Sequence, residues 1–518
     1  MANNTSRIRA QDHRLQRIND SLLVLPNAWD IPVRLFANAD ISLQREAVDE
    51  LFNVLEIQNT VELLRREAPD FFDGADEPHV RGVVLTPDFH KGAGIPIGTV
   101  LDTVGFAVPQ AIGNDVNCGM RLIATGLSRD QVGGRLDALE QQLRHIFFEG
   151  GRTIALTPTQ REALLREGMP GLLDGARGAG GLLGAIDLDA EIDNLERMHA
   201  CGGYSAGLLE DLQDYVAGSG GASYDSMIGS LGGGNHFAEI QYVRRIHDRA
   251  AAHAWGLREG QVVVMIHAGS LGLGHVANRS MIDAMRQIYP RNLPRAQNDI
   301  YLLPTGERFA PQFAHFRTAM RNAANFAFGN RFFLTLMVRR ALEQAVGPTE
   351  TRMIYDAPHN LMWEQPEDSG ETFLHRKSAS PAGGWAEVAG SAYAHWGEPV
   401  IVPGSMGTAS FLLLGSGNSQ ALYSSCHGAG RQLSRGAAMK VDDAALDAFL
   451  RDFRVVTPVD PRRPDLRGRR DILDKWRQEL KQEAPFAYKE ITPVIDTLRS
   501  AEIAHPVAEF FPIMTVKG

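Results

Sequence analysis

Asp115 and Cys118 lie three residues apart in Asp115-Val116-Asn117-Cys118-Gly119-Met120, and a turn of that length aims a carboxylate and a thiolate at one metal ion. Asn117 stands where a second glycine would make the turn most freely, so its bulk is expected to restrict it. Taken alone, the pair reads first as a buried cysteine beside a capping aspartate. Three histidines change that reading. His236 follows the run Gly232-Gly233-Gly234-Asn235, His267 ends an apolar run and leads into Ala268-Gly269-Ser270-Leu271-Gly272, and His359 stands between Pro358 and Asn360. A single loop histidine is ordinarily a surface or structural residue, but several in such settings, with Asp115 and Cys118, point to a transition-metal centre. Carboxylate, thiolate and imidazole together suit manganese, iron, cobalt or zinc better than calcium. A thiolate can also bridge two ions, which spacing does not show.

A second kind of chemistry is suggested by Ser425-Cys426-His427-Gly428-Ala429-Gly430-Arg431, followed by Arg435. An imidazole nitrogen can attack phosphorus, and nearby guanidinium groups can hold the anionic oxygens. The alternative is a helix start with Arg431 and Arg435 on an exposed face. Pro403-Gly404-Ser405-Met406-Gly407-Thr408-Ala409-Ser410 is rich in glycine and hydroxyls, which suits phosphate oxygens or a nucleotide. Asn235 offers a hydrogen bond beside the glycine run, and His375-Arg376-Lys377 adds local positive charge.

These residues need rigid elements behind them. Val262-Val263-Val264-Met265-Ile266 predicts a buried strand ending at His267, and Gly82-Val83-Val84-Leu85 a short one delivering Pro87-Asp88-Phe89-His90-Lys91-Gly92. Further strands are expected near 352–356 and 399–403. Helical spacing predicts helices near 45–66 and over 315–345, the latter turning Phe332, Phe333, Leu336, Met337 and Leu342 inward. Between 131 and 225, Leu136, Leu139, Leu143 and Ile146 outline one helix and Ile192, Leu195 and Met198 another, around a Gly-rich turn region at 171–184. No motif falls in that stretch, which reads as a helical insertion. The pattern is α+β without a regular βαβ rhythm or a fixed-period repeat.

The 518 residues allow a large core, and 52 Lys and Arg against 62 Asp and Glu give a net charge of -10. That balance argues against broad electrostatic binding of nucleic acid, while leaving room for a local basic groove. Cys118, Cys201 and Cys426 are too few and too scattered for a disulfide framework. No apolar run has the length of a membrane span, and the first residues lack the apolar stretch of a secretion signal, so a cytoplasmic protein is expected.

In order along the chain, Asp88-Phe89-His90-Lys91-Gly92, Asp115 to Met120, Gly234-Asn235-His236-Phe237-Ala238-Glu239, His267-Ala268-Gly269-Ser270, His359-Asn360, His375-Arg376-Lys377, Gly404 to Ser410, His427 to Arg431 and Val516-Lys517-Gly518 resemble the RNA-splicing ligase RtcB family over residues 80 to 518. The resemblance implies one catalytic domain over 1–518, with a central mixed or antiparallel β core surrounded by helices and the 131–225 insertion within it. It implies GTP- and manganese-dependent joining of an RNA 3'-phosphate or 2',3'-cyclic phosphate to a 5'-hydroxyl, in RNA repair or tRNA splicing. By the same resemblance, Asp115, Cys118 and His236 would hold one Mn2+, Cys118 would share a second with His267 and His359, and His427 would accept GMP. Asn235, His375, Gly404, Ser405, Met406, Thr408, Ser410, Gly428, Ala429, Gly430, Arg431 and Lys517 would lie around the nucleotide. A monomer with an archease-like activating partner is implied as well. The chain departs from the family pattern at Asn117, usually glycine, and at Leu271, usually arginine, which marks a divergent, repair-oriented branch. The competing expectation is a manganese-dependent phosphoesterase that acts on RNA ends without joining them.

Overall fold

The computed structural model describes residues 12–518 apart from 76, 210, 218–222, 225, 295, 368 and 369. Two sheets carry the molecule, which is of mixed α+β class. The central sheet runs in the order Thr351–Pro358, Gly119–Ser128, Gln261–Ala268, Phe237–Ile246, Ala504–Val516, Ser410–Gly415, Pro399–Val402, antiparallel throughout this path, with Arg454–Val456 added in parallel beside Ala504–Val516. The sheet curls, bringing Pro399–Val402 back toward Gly119–Ser128, and helices surround it. The four buried β-branched or apolar residues Val262, Val263, Val264 and Ile266 form the strand expected of them, because both faces of the sheet are covered.

The second sheet has the order Gln16–Arg17, Leu22–Val24, Val33–Phe36, His79–Ala93, Ile95–Val104, Gly370–Lys377, Asn360–Glu367. Here the short strand expected at 82–85 is one part of a longer one. The strand His79–Ala93 contains Asp88 to Gly92 itself, its register against Ile95–Val104 slipping between Leu85 and His90. Such an irregularity turns side chains off the regular alternation.

The helices expected at 45–66 and 315–345 are Arg45–Glu67 and Ala310–Ala345. The second is buried on nearly every side between Asn322 and Val338, including Asn322, Asn325, Asn330 and Arg331. A stripe reading captured its phenylalanines and leucines and missed these polar residues. The region 131–225 holds Leu136–Phe148, Pro158–Glu167 and several shorter helices packed against Ala310–Ala345. The single helix expected through Ile192, Leu195 and Met198 is absent: Leu188–Asp193 gives way to the 3-10 turn Asn194–Arg197, and Ile192 is exposed. Met198 is extended, and its sulfur accepts from the buried Arg121 guanidinium at 3.7 Å instead.

Candidate active site

One end of the central sheet gathers the candidate ligands. Met120 faces His267, His267 faces Phe237, and Gly119 faces Pro358 across the neighbouring strands. Cys118, His236, His267 and His359 therefore sit at, or one residue beyond, the same edge of four adjacent strands. With strands about 4.8 Å apart, side chains so placed converge without long loops.

The convergence is close. Cys118 Sγ lies 3.1 Å from His236 Nε2 and 3.2 Å from His267 Nε2, His236 Nε2 lies 3.0 Å from an Asp115 carboxylate oxygen, and His267 Nε2 lies 3.2 Å from His359 Nε2. His236 donates its Nδ1 proton to the Leu231 carbonyl at 2.8 Å, so in the neutral ring Nε2 presents a lone pair to the carboxylate and the sulfur. Three electron-rich atoms facing one another call for a cation. The donor set fits a divalent transition metal, and the Asp115 Oδ2 and His359 Nδ1 atoms are buried without a hydrogen-bond partner among the described residues.

Burial sets the ionisation of these groups. It pushes the His267 and His359 imidazoles well below their usual range, leaving them neutral, as ligands must be. Burial, and then the Asp115 charge, push the Cys118 thiol well above its usual range. Burial alone would raise Asp115, but the neighbouring His236 and the Leu271 N–H hold it low.

The Asp115 turn is closed by the Cys118 N–H on the Asp115 carbonyl at 3.0 Å, with Asn117 in the left-handed region at φ 52. The expected restriction by Asn117 is overturned. Asparagine tolerates this conformation, and its buried side chain donates to Ala324 O at 2.6 Å and accepts from Arg331 at 3.1 Å. Asp115 also accepts from the Leu271 N–H at 2.7 Å, and a Cβ on Gly269 would stand 2.3 Å from the carboxylate. Leu271 reaches this position at φ 52 and ψ -128, outside the ordinary regions for a residue with a side chain.

Behind the cluster, Asp356 receives Arg121 at 2.6 Å and Arg331 at 2.8 Å, all three fully buried. Arg331 also donates to the Asn117 and Ala268 carbonyls at 2.7 and 2.9 Å, tying the cysteine turn to the histidine strand. Asn330 holds the glycine run, accepting from Gly229 and Ser230 N–H and donating to the Ser230 and Gly269 carbonyls.

His427 borders the candidate ligands, its ring centroid 4.7 Å from that of His359. Its Nδ1 lies 2.6 Å from Asp88, whose other oxygen accepts from Thr86 at 2.5 Å. Burial would raise the Asp88 carboxyl, but the neighbouring His427, helped by Thr86, keeps it below its ordinary value. An ionised Asp88 fixes the proton on Nδ1 and leaves the Nε2 lone pair for an electrophile. The next loop packs tightly here, since a Cβ on Gly430 would meet the Asp88 carbonyl at 2.2 Å.

The other candidate residues divide. Lys517 donates to the Gly234 and His236 carbonyls at 2.5 and 2.7 Å, clamping the turn that presents Asn235, whose carboxamide has no partner among the described residues. In the 403–410 loop, Ser410 Oγ accepts from Gly404 N–H at 3.1 Å and from Gln241 at 3.0 Å, and the Ser405 and Thr408 hydroxyls are 3.1 Å apart. Met406 is buried, and Ala429 and Gly428 follow His427 in a buried loop that meets Pro403. Arg431 turns elsewhere, to Glu483, Gln482 O and the ring of Tyr488. His375 stands apart in the second sheet, one ring nitrogen accepting from the Val108 N–H at 2.9 Å and the other 3.2 Å from the Leu101 carbonyl.

Two carboxylates escaped the assignment of site residues from sequence. Asp88 lies 339 residues from His427, so no spacing could pair them. Glu239 is buried between Gln241, Thr515 and Ser410, beneath the 403–410 loop, and burial raises its pKa to about 7. In the sequence it closes the motif Gly234 to Glu239, with nothing there to mark its partners.

A family model for tRNA-splicing ligase RtcB matches residues 74–518. The chain belongs to the RtcB family. It is 34% identical over 455 residues to the tRNA-splicing ligase RtcB of Thermococcus kodakarensis, covering 84% of this chain and 87% of that protein. The RNA-splicing ligase RtcB of Mycobacterium tuberculosis is 33% identical over 451 residues, 85% of this chain and 97% of its own. The tRNA-splicing ligase RtcB of Nanoarchaeum equitans is 30% identical over 531 aligned residues, 98% of this chain and all of the other. RtcB membership makes this chain a ligase, and Cys118, His236 and His267 form a cluster that fits a metal ion.

Proposed function

We propose that this chain joins an RNA 3'-phosphate or 2',3'-cyclic phosphate to a 5'-hydroxyl, using GTP and two Mn2+ ions, with His427 as the residue that carries GMP. The observation that supports this most directly is the Asp88–His427 pair at 2.6 Å beside the ligand His359. Asp115, Cys118 and His236 would hold one ion, and Cys118, His267 and His359 the other. The ions supply positive charge that offsets the phosphoryl oxygens of the nucleotide and the RNA end.

His427 Nε2 forms a bond to the α-phosphorus of GTP as the bond to the pyrophosphate oxygen breaks. Asp88 keeps the Nδ1 proton and stabilises the positive charge developing on the ring. An oxygen of the RNA 3'-phosphate next takes the guanylyl group from His427, after water has opened a cyclic end where one is present. The 5'-hydroxyl oxygen then bonds to the 3'-phosphorus, releasing GMP and a proton. Asn235, Ser405, Thr408, Ser410 and the backbone from Gly404 to Ala409 would orient the nucleotide, with Gly428, Ala429 and Gly430 beside it and Lys517 holding the Asn235 turn. Arg431 supports this pocket through Tyr488 and Glu483, and His375 fits a structural role. A cytoplasmic monomer assisted by an archease-like protein, in RNA repair, completes the reading.

Intact-protein mass spectrometry after incubation with GTP and Mn2+ tests the first step. One added GMP is expected in the unaltered chain and none in His427→Ala; an unaltered chain that acquires no adduct removes the guanylyl step.

A further inference from the structure

Asp88 and His427 come from different parts of the fold. Asp88 lies in the strand His79–Ala93, whereas His427 follows Ser424–Cys426, which pairs with Ala379–Pro381. No backbone hydrogen bond joins these two segments among the described residues. Asp88 also stands where its own sheet is interrupted: Leu85 pairs with Thr99 and His90 with Ile97, so the residues between Leu85 and His90 have no regular partner on Ile95–Val104. Buried carbonyls there must find donors elsewhere. The Asp88 carbonyl lies 2.7 Å from His90 Nδ1, and the Phe89 carbonyl accepts from Lys489 Nζ at 2.7 Å.

Lys489 therefore reaches both segments at once. Its side chain holds the residue after Asp88, and its backbone N–H donates to the carbonyl of Gly430, three residues beyond His427, at 2.9 Å. Its place is fixed by a neck in the chain. The Gln432 and Leu433 N–H groups donate to the Ala487 carbonyl at 2.9 and 3.2 Å, and Arg431 bridges to Tyr488, so the chain that leaves after Gly430 is brought back beside it at Lys489. Gln44 makes a second, outer link, accepting from the Lys91 N–H at 3.1 Å and donating to the Arg431 carbonyl at 3.3 Å. A neutral amide could also bond to the Phe89 carbonyl, whereas burying an ammonium is costly unless an opposite charge meets it. Lys489 is 8% exposed, and the carboxylate charge it meets is that of Asp88. Burial lowers its pKa to about 8 against the pull of that charge, which leaves it an ammonium at pH 7. Nothing in the proposed reaction uses it.

We propose that Lys489 is a positioning residue for the guanylyl step, clamping the strand that carries Asp88 to the loop that carries His427 and setting an ammonium against the Asp88 carboxylate. None of its hydrogen bonds goes to Asp115, Cys118, His236, His267 or His359. Its contribution is therefore to the rate of attack by a correctly held His427, and not to the binding of GTP or Mn2+. This rests on the RNA-joining reading and concerns its first step alone.

The test follows the rate of GMP adduct formation over a range of GTP concentrations, in the full chain and in Lys489→Met, Lys489→Gln and Lys489→Arg, with Mn2+ affinity measured on each. Lys489→Met, which removes donor and charge, is expected to slow the step at saturating GTP by about 100-fold. The GTP concentration for half the maximal rate and the Mn2+ affinity should stay within about threefold, which also reports a folded site. Lys489→Gln keeps a donor for the Phe89 carbonyl without the charge and should fall between Met and Lys, while Lys489→Arg, with both, should recover most of the rate. Rates unchanged in Lys489→Met and Lys489→Gln would overturn the proposal. So would a joint loss of rate, GTP half-saturation and Mn2+ affinity that Lys489→Arg does not relieve, since that is the behaviour of a packing residue. An unaltered chain that forms no adduct would overturn the RNA-joining reading, and this role for Lys489 with it.

Discussion

At the scale of single residues, the cluster around Cys118 makes a quantitative demand on protons. The thiol is held well above its usual range until a cation displaces its proton, so manganese binding near pH 7 should release about one proton. Calorimetry in buffers of different ionisation enthalpy measures this, and Cys118→Ser should abolish the release and weaken the metal by roughly 100-fold or more. Asp88→Asn should keep the fold and metal while slowing adduct formation on the order of 10³- to 10⁴-fold, because an amide no longer fixes the His427 tautomer. Glu239 gives a pH signature. Its folded pKa, about 7, lies above the unfolded value near 4.5, so its contribution to stability is full below about 4.5 and lost as pH rises through 7. Melting curves across that window should show the decline in the unaltered chain and a flatter profile in Glu239→Gln. The types of Asp115, Cys118, His236, His267, His359 and His427 made them candidates from the sequence, since each sits in a polar or glycine-marked corner. Asp88 and Glu239 did not stand out in the same way, because their meaning lies in partners brought from distant strands.

At the scale of elements, the strands ending at His267 and His359 followed from runs of apolar residues, whereas the helix Ala310–Ala345 was only half legible. Its phenylalanines announced a buried face; Asn322, Asn325, Asn330 and Arg331 gave no hint that the helix is buried on its other sides as well, where they bond to backbone carbonyls and to Asp356. Asn325 donates to the Leu165 and Tyr204 carbonyls, so the same helix that braces the glycine run also fastens the 131–225 region. Arg331→Met should cost about 3–5 kcal/mol by urea unfolding, since Asp356 would keep one cation where it had two and the Asn117 and Ala268 carbonyls would lose their donor. Asn117 shows the opposite failure of sequence reasoning. Its bulk seemed unfavourable in a turn, yet a short amide suits a left-handed position and serves as the contact through which Arg331 reaches the metal-binding loop.

At the scale of the whole molecule, antiparallel strands bring Cys118, His236, His267 and His359 to one edge of a curled sheet. We regard residues 1–518 as one catalytic unit with 131–225 as an elaboration of it, because that stretch packs on the helix that supports the site. Among the described residues no helix is long and apolar enough to cross a membrane. The α+β class and the ordered motifs were legible in the sequence; the curl of the sheet and the approach of Asp88 to His427 depend on residues hundreds of positions apart. Whether this chain joins RNA ends through His427 is decided by ligation of two RNA fragments, one with a 3'-phosphate and one with a 5'-hydroxyl. A joined product that requires both GTP and Mn2+ and disappears in His427→Ala is expected. Loss of the terminal phosphate without joining, equally fast in the absence of GTP, would rule it out.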